Sequence, residues 1–178
     1  MIYQPKEDSY FLSEILKKFF KNLSVKNKKF LDMGSGSGIQ AETLLQFTEI
    51  TNILCTDIDN QAIEFLKKKR FNVIQSDLFS NIKEKFDFII FNPPYLPEDK
   101  YDKEKDTTGG KYGDEIILEF LKQAKNYLKK EGKIFLLLSS LTPKKRIFNF
   151  LKKNYKFKKL AQKNLFFETL EIWLIQFA

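Results

Sequence analysis

Leu31-Asp32-Met33-Gly34-Ser35-Gly36-Ser37-Gly38 lies where a short apolar run, Lys29 to Met33, gives way to an amphipathic stretch reaching about Phe47. A strand that turns into a helix within so few residues needs backbone without Cβ atoms. Three glycines at alternate positions let the chain turn tightly and approach a bound molecule closely. Asp32, at the end of the strand, adds a charged partner for a ligand amine. The spacing is not G-x-G-x-x-G, which admits a pyrophosphate at a helix N-terminus.

The same alternation continues on both sides. Asp8 to about Lys21 has apolar residues near helical spacing and is read as a leading helix. Thr51 to Asp57, Asn72 to Ser76, Phe86 to Phe91 and Lys133 to Ser139 read as strands after the first. Helices are expected over Asn60 to Arg70, Tyr112 to Lys130 and Pro143 to Lys153, the last opened by Thr142 as N-cap with Pro143 in the first turn. Lys156 to Gln162 and Phe166 to Phe177, joined at Lys163-Asn164, have no helix between them and read as a closing antiparallel hairpin. The expectation is one α/β domain over residues 1–178, doubly wound, with a seven-stranded, mostly parallel sheet and an antiparallel C-terminal edge.

Two further carboxylates end successive strands. Asp57, in Cys55-Thr56-Asp57-Ile58-Asp59, can accept hydrogen bonds from both hydroxyls of a ribose. Asp77, in Gln75-Ser76-Asp77-Leu78, is placed to meet an adenine amino group. With Asp32 they would line one crevice at the switch point of the sheet. Asn92-Pro93-Pro94-Tyr95 follows the next strand at the mouth of that crevice. Its prolines stiffen the backbone, so the Asn92 side-chain oxygen and the Pro93 carbonyl can both accept from one planar NH₂ group while Tyr95 packs on its flat face. Each element also has a plain structural reading, as a cap, a turn or the end of a strand.

Composition narrows the chemistry. The chain has 178 residues, no His and one cysteine, Cys55, which excludes a His-based triad, a His- or Cys-rich zinc cage and an internal disulfide. Its longest uncharged apolar run, Ile134 to Leu138, falls far short of the ~20 residues a membrane helix needs. A cytoplasmic, reducing location and no membrane contact are expected. Net charge is +8, yet Gly132 to Phe167 holds ten basic residues and no acidic one, so the remainder has 21 basic against 23 acidic. The excess is regional, either a solvated face or a footprint for an acidic partner such as RNA.

Asp32 with G-x-G-x-G resembles motif I of the Rossmann-like methyltransferases that use S-adenosylmethionine (SAM). Asn92-Pro93-Pro94-Tyr95 resembles motif IV of the amino-methyltransferases, which act on adenine N6, guanine N2 or the glutamine amide. Tyr3-Gln4-Pro5-Lys6-Glu7-Asp8-Ser9 resembles the Y-x-P-x-E-D-[ST] opening of the HemK-type glutamine methyltransferases, in their short archaeal and eukaryotic branch. Gly109-Gly110-Lys111-Tyr112-Gly113 and Phe167-Glu168-Thr169-Leu170 are similar to later segments of that branch. The chain departs from it at Thr107-Thr108, where Trp-Ala is common, and at Asp114, where Arg often stands.

The resemblance implies a SAM-binding set of Ser9, Asp32, Gly34, Ser35, Gly36, Gly38, Asp57, Ile58, Asp77, Leu78 and Asn92, with Tyr3 as a further contact. It implies a catalytic set of Asn92, Pro93, Pro94 and Tyr95 and no metal. It also implies a substrate, the glutamine of the Gly-Gly-Gln motif in class I release factors, and a small zinc-binding activator subunit. The competing readings are an RNA or DNA amino-methyltransferase whose basic stretch tracks phosphates, and a binding module without turnover. Lysine methylation ranks below these, because no dedicated base is evident to deprotonate an ammonium.

Overall fold

The computed structural model describes residues 4–95 and 113–178. Tyr3, Thr107-Thr108 and the double glycine at 109–110 lie outside the described residues.

The order along the chain is α1 (Glu7–Phe20), β1 (Phe30–Met33), α2 (Ile39–Leu44), β2 (Ile53–Asp57), α3 (Asn60–Lys68), β3 (Asn72–Gln75), β4 (Phe86–Phe91), α4 (Glu115–Ala124), β5 (Leu128–Ser139), α5 (Lys144–Asn154), β6 (Tyr155–Asn164) and β7 (Thr169–Phe177). The strands form one seven-stranded sheet in the order β3-β2-β1-β4-β5-β7-β6. The first five run parallel, and β7 is antiparallel to both β5 and β6. This is the expected sheet, with the strand order reversing between β1 and β4.

Because side chains alternate across a strand, each central strand feeds two cores. Phe88 and Ile90 of β4 pack with α1, α2 and α3 through Phe20, Leu44 and Leu66. Ile89 and Phe91 point the other way, toward Phe120 and Leu121 of α4 and Leu151 of α5. Burial on both faces makes such strands read as unbroken apolar runs, which is why β4 was legible to the residue.

Several boundaries differ from expectation: the helix after the glycines ends at Leu44 rather than Phe47, Ile50–Asn52 is a 3-10 turn so that β2 begins at Ile53 rather than Thr51, and three further differences have a visible cause. The helix expected to reach Lys130 ends at Ala124. Leu128, which fits the helical period, instead opens β5 in register with Phe86, whose N–H donates to the Tyr127 carbonyl at 2.8 Å. Tyr127 stacks on Phe79 with ring centroids 4.6 Å apart. The Tyr155 hydroxyl donates to the Leu121 carbonyl at 2.7 Å, closing the helix from outside.

The second difference is at α5, where Thr142 does not cap the helix. Its hydroxyl accepts from the Ser139 N–H at 3.1 Å, and the N-cap residue is Pro143, with no side-chain cap. The third is the hairpin turn, which is longer than Lys163-Asn164. It occupies residues 165–168, closed by Leu165 N–H donating to the Glu168 carbonyl at 2.7 Å, and β7 begins only at Thr169. Among the described residues no helix is long and apolar enough to cross a membrane.

Candidate active site

A cavity of about 850 Å³ opens beyond the C-terminal ends of β1, β2 and β4, where the strand order reverses. Ligand sites in open α/β sheets form at this position. Its wall includes Ser9, Asp32, Gly34, Ser35, Gly36, Asp57, Ile58, Asp77, Leu78 and Asn92 to Tyr95, so among the described residues the structure brings together every expected site residue but one.

The exception is Gly38, which is not part of the wall. It is the N-cap of α2 with φ +82°, and a Cβ there would lie 2.6 Å from Cδ2 of Leu66. Its glycine lets α3 pack against the start of α2. Gly34, at φ +61°, does turn the backbone at the cavity.

The glycine loop is braced by side chains. Asp57 accepts from the Gly36 N–H through Oδ2 at 2.8 Å and from the Asp59 N–H through Oδ1 at 2.9 Å. Ser35 donates from its hydroxyl to the Asp32 carbonyl at 2.7 Å, and its N–H donates to the Thr56 carbonyl at 2.9 Å. Burial raises the Asp57 carboxyl above its ordinary pKa, against these backbone hydrogen bonds.

Asp32 is buried, and Oδ2 accepts from the Ala41 N–H at 3.2 Å. Desolvation pushes its carboxyl up to about 7, with the nearby Asp57 charge adding to the rise and the Ala41 and Ser35 bonds opposing it. Gln40, next to Ala41, donates from Nε2 to the Ser9 carbonyl at 2.9 Å, and its Oε1 is buried without a hydrogen-bond partner. Among the described residues, one region of the wall therefore holds a carboxyl lacking a counter-ion and an amide oxygen lacking a donor.

Asp77 and Leu78 sit on a strained turn. Leu78 has φ +46°, a left-handed conformation that non-glycine residues rarely adopt. The Ser76 hydroxyl holds it, donating to the Leu78 carbonyl at 2.8 Å and accepting from the Asn81 N–H at 3.1 Å. Ile58 is 67% exposed, an apolar side chain left at the cavity rim.

At the other end, Asn92 donates from Nδ2 to Oδ2 of Asp8 at 2.9 Å. An ionised carboxylate only accepts, so the NH₂ of Asn92 must face Asp8 and its oxygen must face away. That oxygen, Oδ1, is buried and has no hydrogen-bond partner among the described residues. The other oxygen of Asp8 accepts from the Ser9 N–H at 2.7 Å, which fixes the carboxylate at the start of α1.

Sequence reasoning treated Asp8 as a helix starter and passed over Gln40. Glu115, Ile116, Glu119, Leu165 and Glu168 also line the cavity unforeseen. Only the position of Asp8 in the Y-x-P-x-E-D opening signalled it. For Gln40, an amide on a short helix, no sequence signal existed.

Among the described residues the wall carries nine carboxylates, Glu7, Asp8, Asp32, Asp57, Asp59, Asp77, Glu115, Glu119 and Glu168, against one cation, Lys6. This acidity is local to a chain of net charge +8. None of the ten basic residues between Gly132 and Phe167 lines the cavity. Lys144 and Lys159 both pair with Glu171, at 2.7 and 3.4 Å, Arg146 pairs with Asp114 at 3.1 Å, and Lys163 pairs with Glu7. Lys156 and Lys158 stand exposed on β6, the edge strand. Lysines on an edge discourage another strand from pairing there.

Comparison with known proteins gives the family of the fold. A protein of Methanocaldococcus jannaschii, provisionally named protein N5-glutamine methyltransferase MJ0928, is 38% identical over 163 residues, covering 85% of this chain and 79% of that one. A release factor glutamine methyltransferase of Lactococcus lactis is 32% identical over 124 residues, 61% of this chain and 46% of that longer protein. Among solved structures, the E. cuniculi Mtq2–Trm112 complex, described as responsible for methylating the translation termination factor eRF1, superposes with a TM-score of 0.80 at 26% identity, over 99% of this chain and 98% of that one. The family model "Methyltransferase small domain" matches residues 11–170, and the chain belongs to that family.

Proposed function

We propose that the protein methylates the side-chain amide of a glutamine, that of the Gly-Gly-Gln motif in a class I release factor, using SAM. The observation that carries this reading is the unpartnered Asn92 Oδ1, whose direction is set by the bond from Asn92 Nδ2 to Asp8. A buried acceptor without a donor is costly in a folded protein, and a planar NH₂ would satisfy it.

The cavity fits a cationic cofactor. Asp32 and Gln40 Oε1 supply acceptors for an ammonium, Asp57 for ribose hydroxyls and Asp77 for an adenine amine, with Ile58 and Leu78 against the ring. Bound SAM supplies a methyl group already activated on a sulfonium. The chain's own work is then orientation: Asn92 Oδ1 and the Pro93 carbonyl accept from the two N–H bonds of the target, and Tyr95 confines it in plane. No side-chain base is needed at this stage, since the nitrogen loses its proton readily once alkylated.

The nine carboxylates favour a protein target over a nucleic acid. So acidic a wall repels phosphates, and the basic stretch that could attract them lies elsewhere and is partly paired within the molecule. The names of the Lactococcus lactis relative and of the Mtq2–Trm112 structure also support a release factor. A small partner, zinc-binding by resemblance, is proposed to dock on the β3 edge, where Val73 and Ile74 are only half-buried. The proposed location is the cytoplasm, where release factors work.

The test is transfer from labelled SAM to a class I release factor and to its Gly-Gly-Gln→Gly-Gly-Ala variant, each with and without the partner. Label on the unaltered factor alone supports the reading. Label on both places the methyl group on another residue, and label on neither, with SAM bound, removes the release factor as substrate.

A further inference from the structure

The turn between β6 and β7 presents Phe166 and Phe167 to solvent at 92% and 85% exposure, the two most exposed large apolar side chains among the described residues. Their rings meet edge to face with centroids 4.6 Å apart. Burying an aromatic ring is among the larger gains available to a side chain, so two adjacent rings left in water call for an occupant.

The turn itself is held in place. Leu165 N–H donates to the Glu168 carbonyl at 2.7 Å, Thr169 Oγ1 donates to Asn164 Oδ1 at 3.1 Å, and the Glu168 carboxylate accepts from the Ser139 hydroxyl. Lys163 pairs with Glu7 of α1, the helix that also carries Asp8. The two residues that flank the pair, Leu165 and Glu168, line the same cavity as Asn92. Leu165 also packs against the core that α1 shares with β7. The two phenylalanines are therefore an apolar projection on a hydrogen-bonded turn, continuous with the cavity wall.

We propose that Phe166 and Phe167 form a docking anchor for the methyl-accepting protein, receiving an apolar side chain of the polypeptide that flanks the target amide. The inference rests on the amide-transfer reading above and adds a residue-level determinant of substrate affinity to it. Interfaces draw their affinity from a few aromatic anchors placed beside the reacting or central groups. Here the anchor is coupled to the site from both ends, through Leu165 and Glu168 to the wall and through Lys163 and Glu7 to the helix that orients Asn92.

The experiment compares the unaltered protein, with its partner if required, to a Phe166→Ser/Phe167→Ser double variant and a Phe166→Tyr/Phe167→Tyr control. Steady-state methylation of a class I release factor, SAM binding by calorimetry, thermal melting and sedimentation are measured for each. The expected result is a rise in KM for the release factor of roughly ten-fold or more for the Ser variant, the scale of losing a buried aromatic anchor. kcat, SAM affinity and melting should be unchanged, and the Tyr control should be near the unaltered protein.

An unchanged KM in an active Ser variant overturns the anchor and leaves the amide-transfer reading standing. A loss of SAM binding or of melting temperature overturns it by assigning the rings to the cavity's structure. A change of oligomeric state assigns them to self-association instead. No transfer by the unaltered protein removes the amide-transfer reading, and the anchor with it.

Discussion

Asn92, at the end of β4, and Asp8, in the first turn of α1, are 84 positions apart in sequence and joined by a 2.9 Å hydrogen bond. The bond selects one of two orientations of a nearly symmetric amide. Without it, rotation by half a turn would present a donor where the target's own donor must be met.

Replacing Asp8 with Ala should therefore lower kcat roughly 10- to 100-fold, the usual scale for losing a positioning contact at a reacting group. Asn92→Ala should abolish transfer. Calorimetry should find SAM binding near normal in both. A loss of SAM binding that matched the loss of rate in Asp8→Ala would refute the positioning role.

The Asp32 carboxyl, held up near 7 by burial, titrates within the physiological range before any ligand arrives. A cation placed beside it favours the ionised form, so SAM affinity should rise as pH increases from 6 to 8. Binding at pH 6 should release protons, seen as a dependence of the calorimetric heat on buffer ionisation enthalpy. Asp32→Asn should weaken binding and erase both effects.

The same group shapes stability. Its folded pKa lies above its unfolded value, so the folded ligand-free protein binds more protons between roughly pH 4 and 7, and that contribution to stability fades as pH rises through 7. Denaturant melts of Asp32→Asn should lack this portion of the pH dependence.

Gly38→Ala should cost about 2 kcal/mol or more, from a left-handed backbone and a Cβ driven against Leu66. Urea unfolding measures it directly. SAM affinity, corrected for the unfolded fraction, should change little, because Gly38 does not line the cavity.

Lys156→Thr together with Lys158→Thr should leave methyl transfer unchanged and promote self-association, as expected of a sheet edge stripped of its charges. Light scattering against concentration reads the second effect. A fall in transfer rate would instead give these lysines a part in the reaction.

Much of this was legible in the sequence, for reasons that differ by element. The parallel strands announced themselves because burial on both faces leaves an uninterrupted apolar run, as in Phe86–Phe91. The site residues at strand ends were legible because the topology brings those ends to one crevice. What escaped was whatever depended on contacts across the sequence. Leu128 satisfies a helical period and a strand pairing equally, and only Phe86 decides between them. The role of Asp8 exists only once Asn92 is beside it, and Thr142 turned to Ser139 rather than to its own helix. The regional charge was counted correctly, but its location away from the cavity was a matter of folding.

Asp57 grips Gly36 through one carboxylate oxygen and Asp59 through the other. The cradle is therefore rigid before it is filled, and little of the free energy of association goes into ordering the loop. For this loop association should resemble a lock receiving its key, its share of the heat capacity change set by the surface covered rather than by folding of the loop.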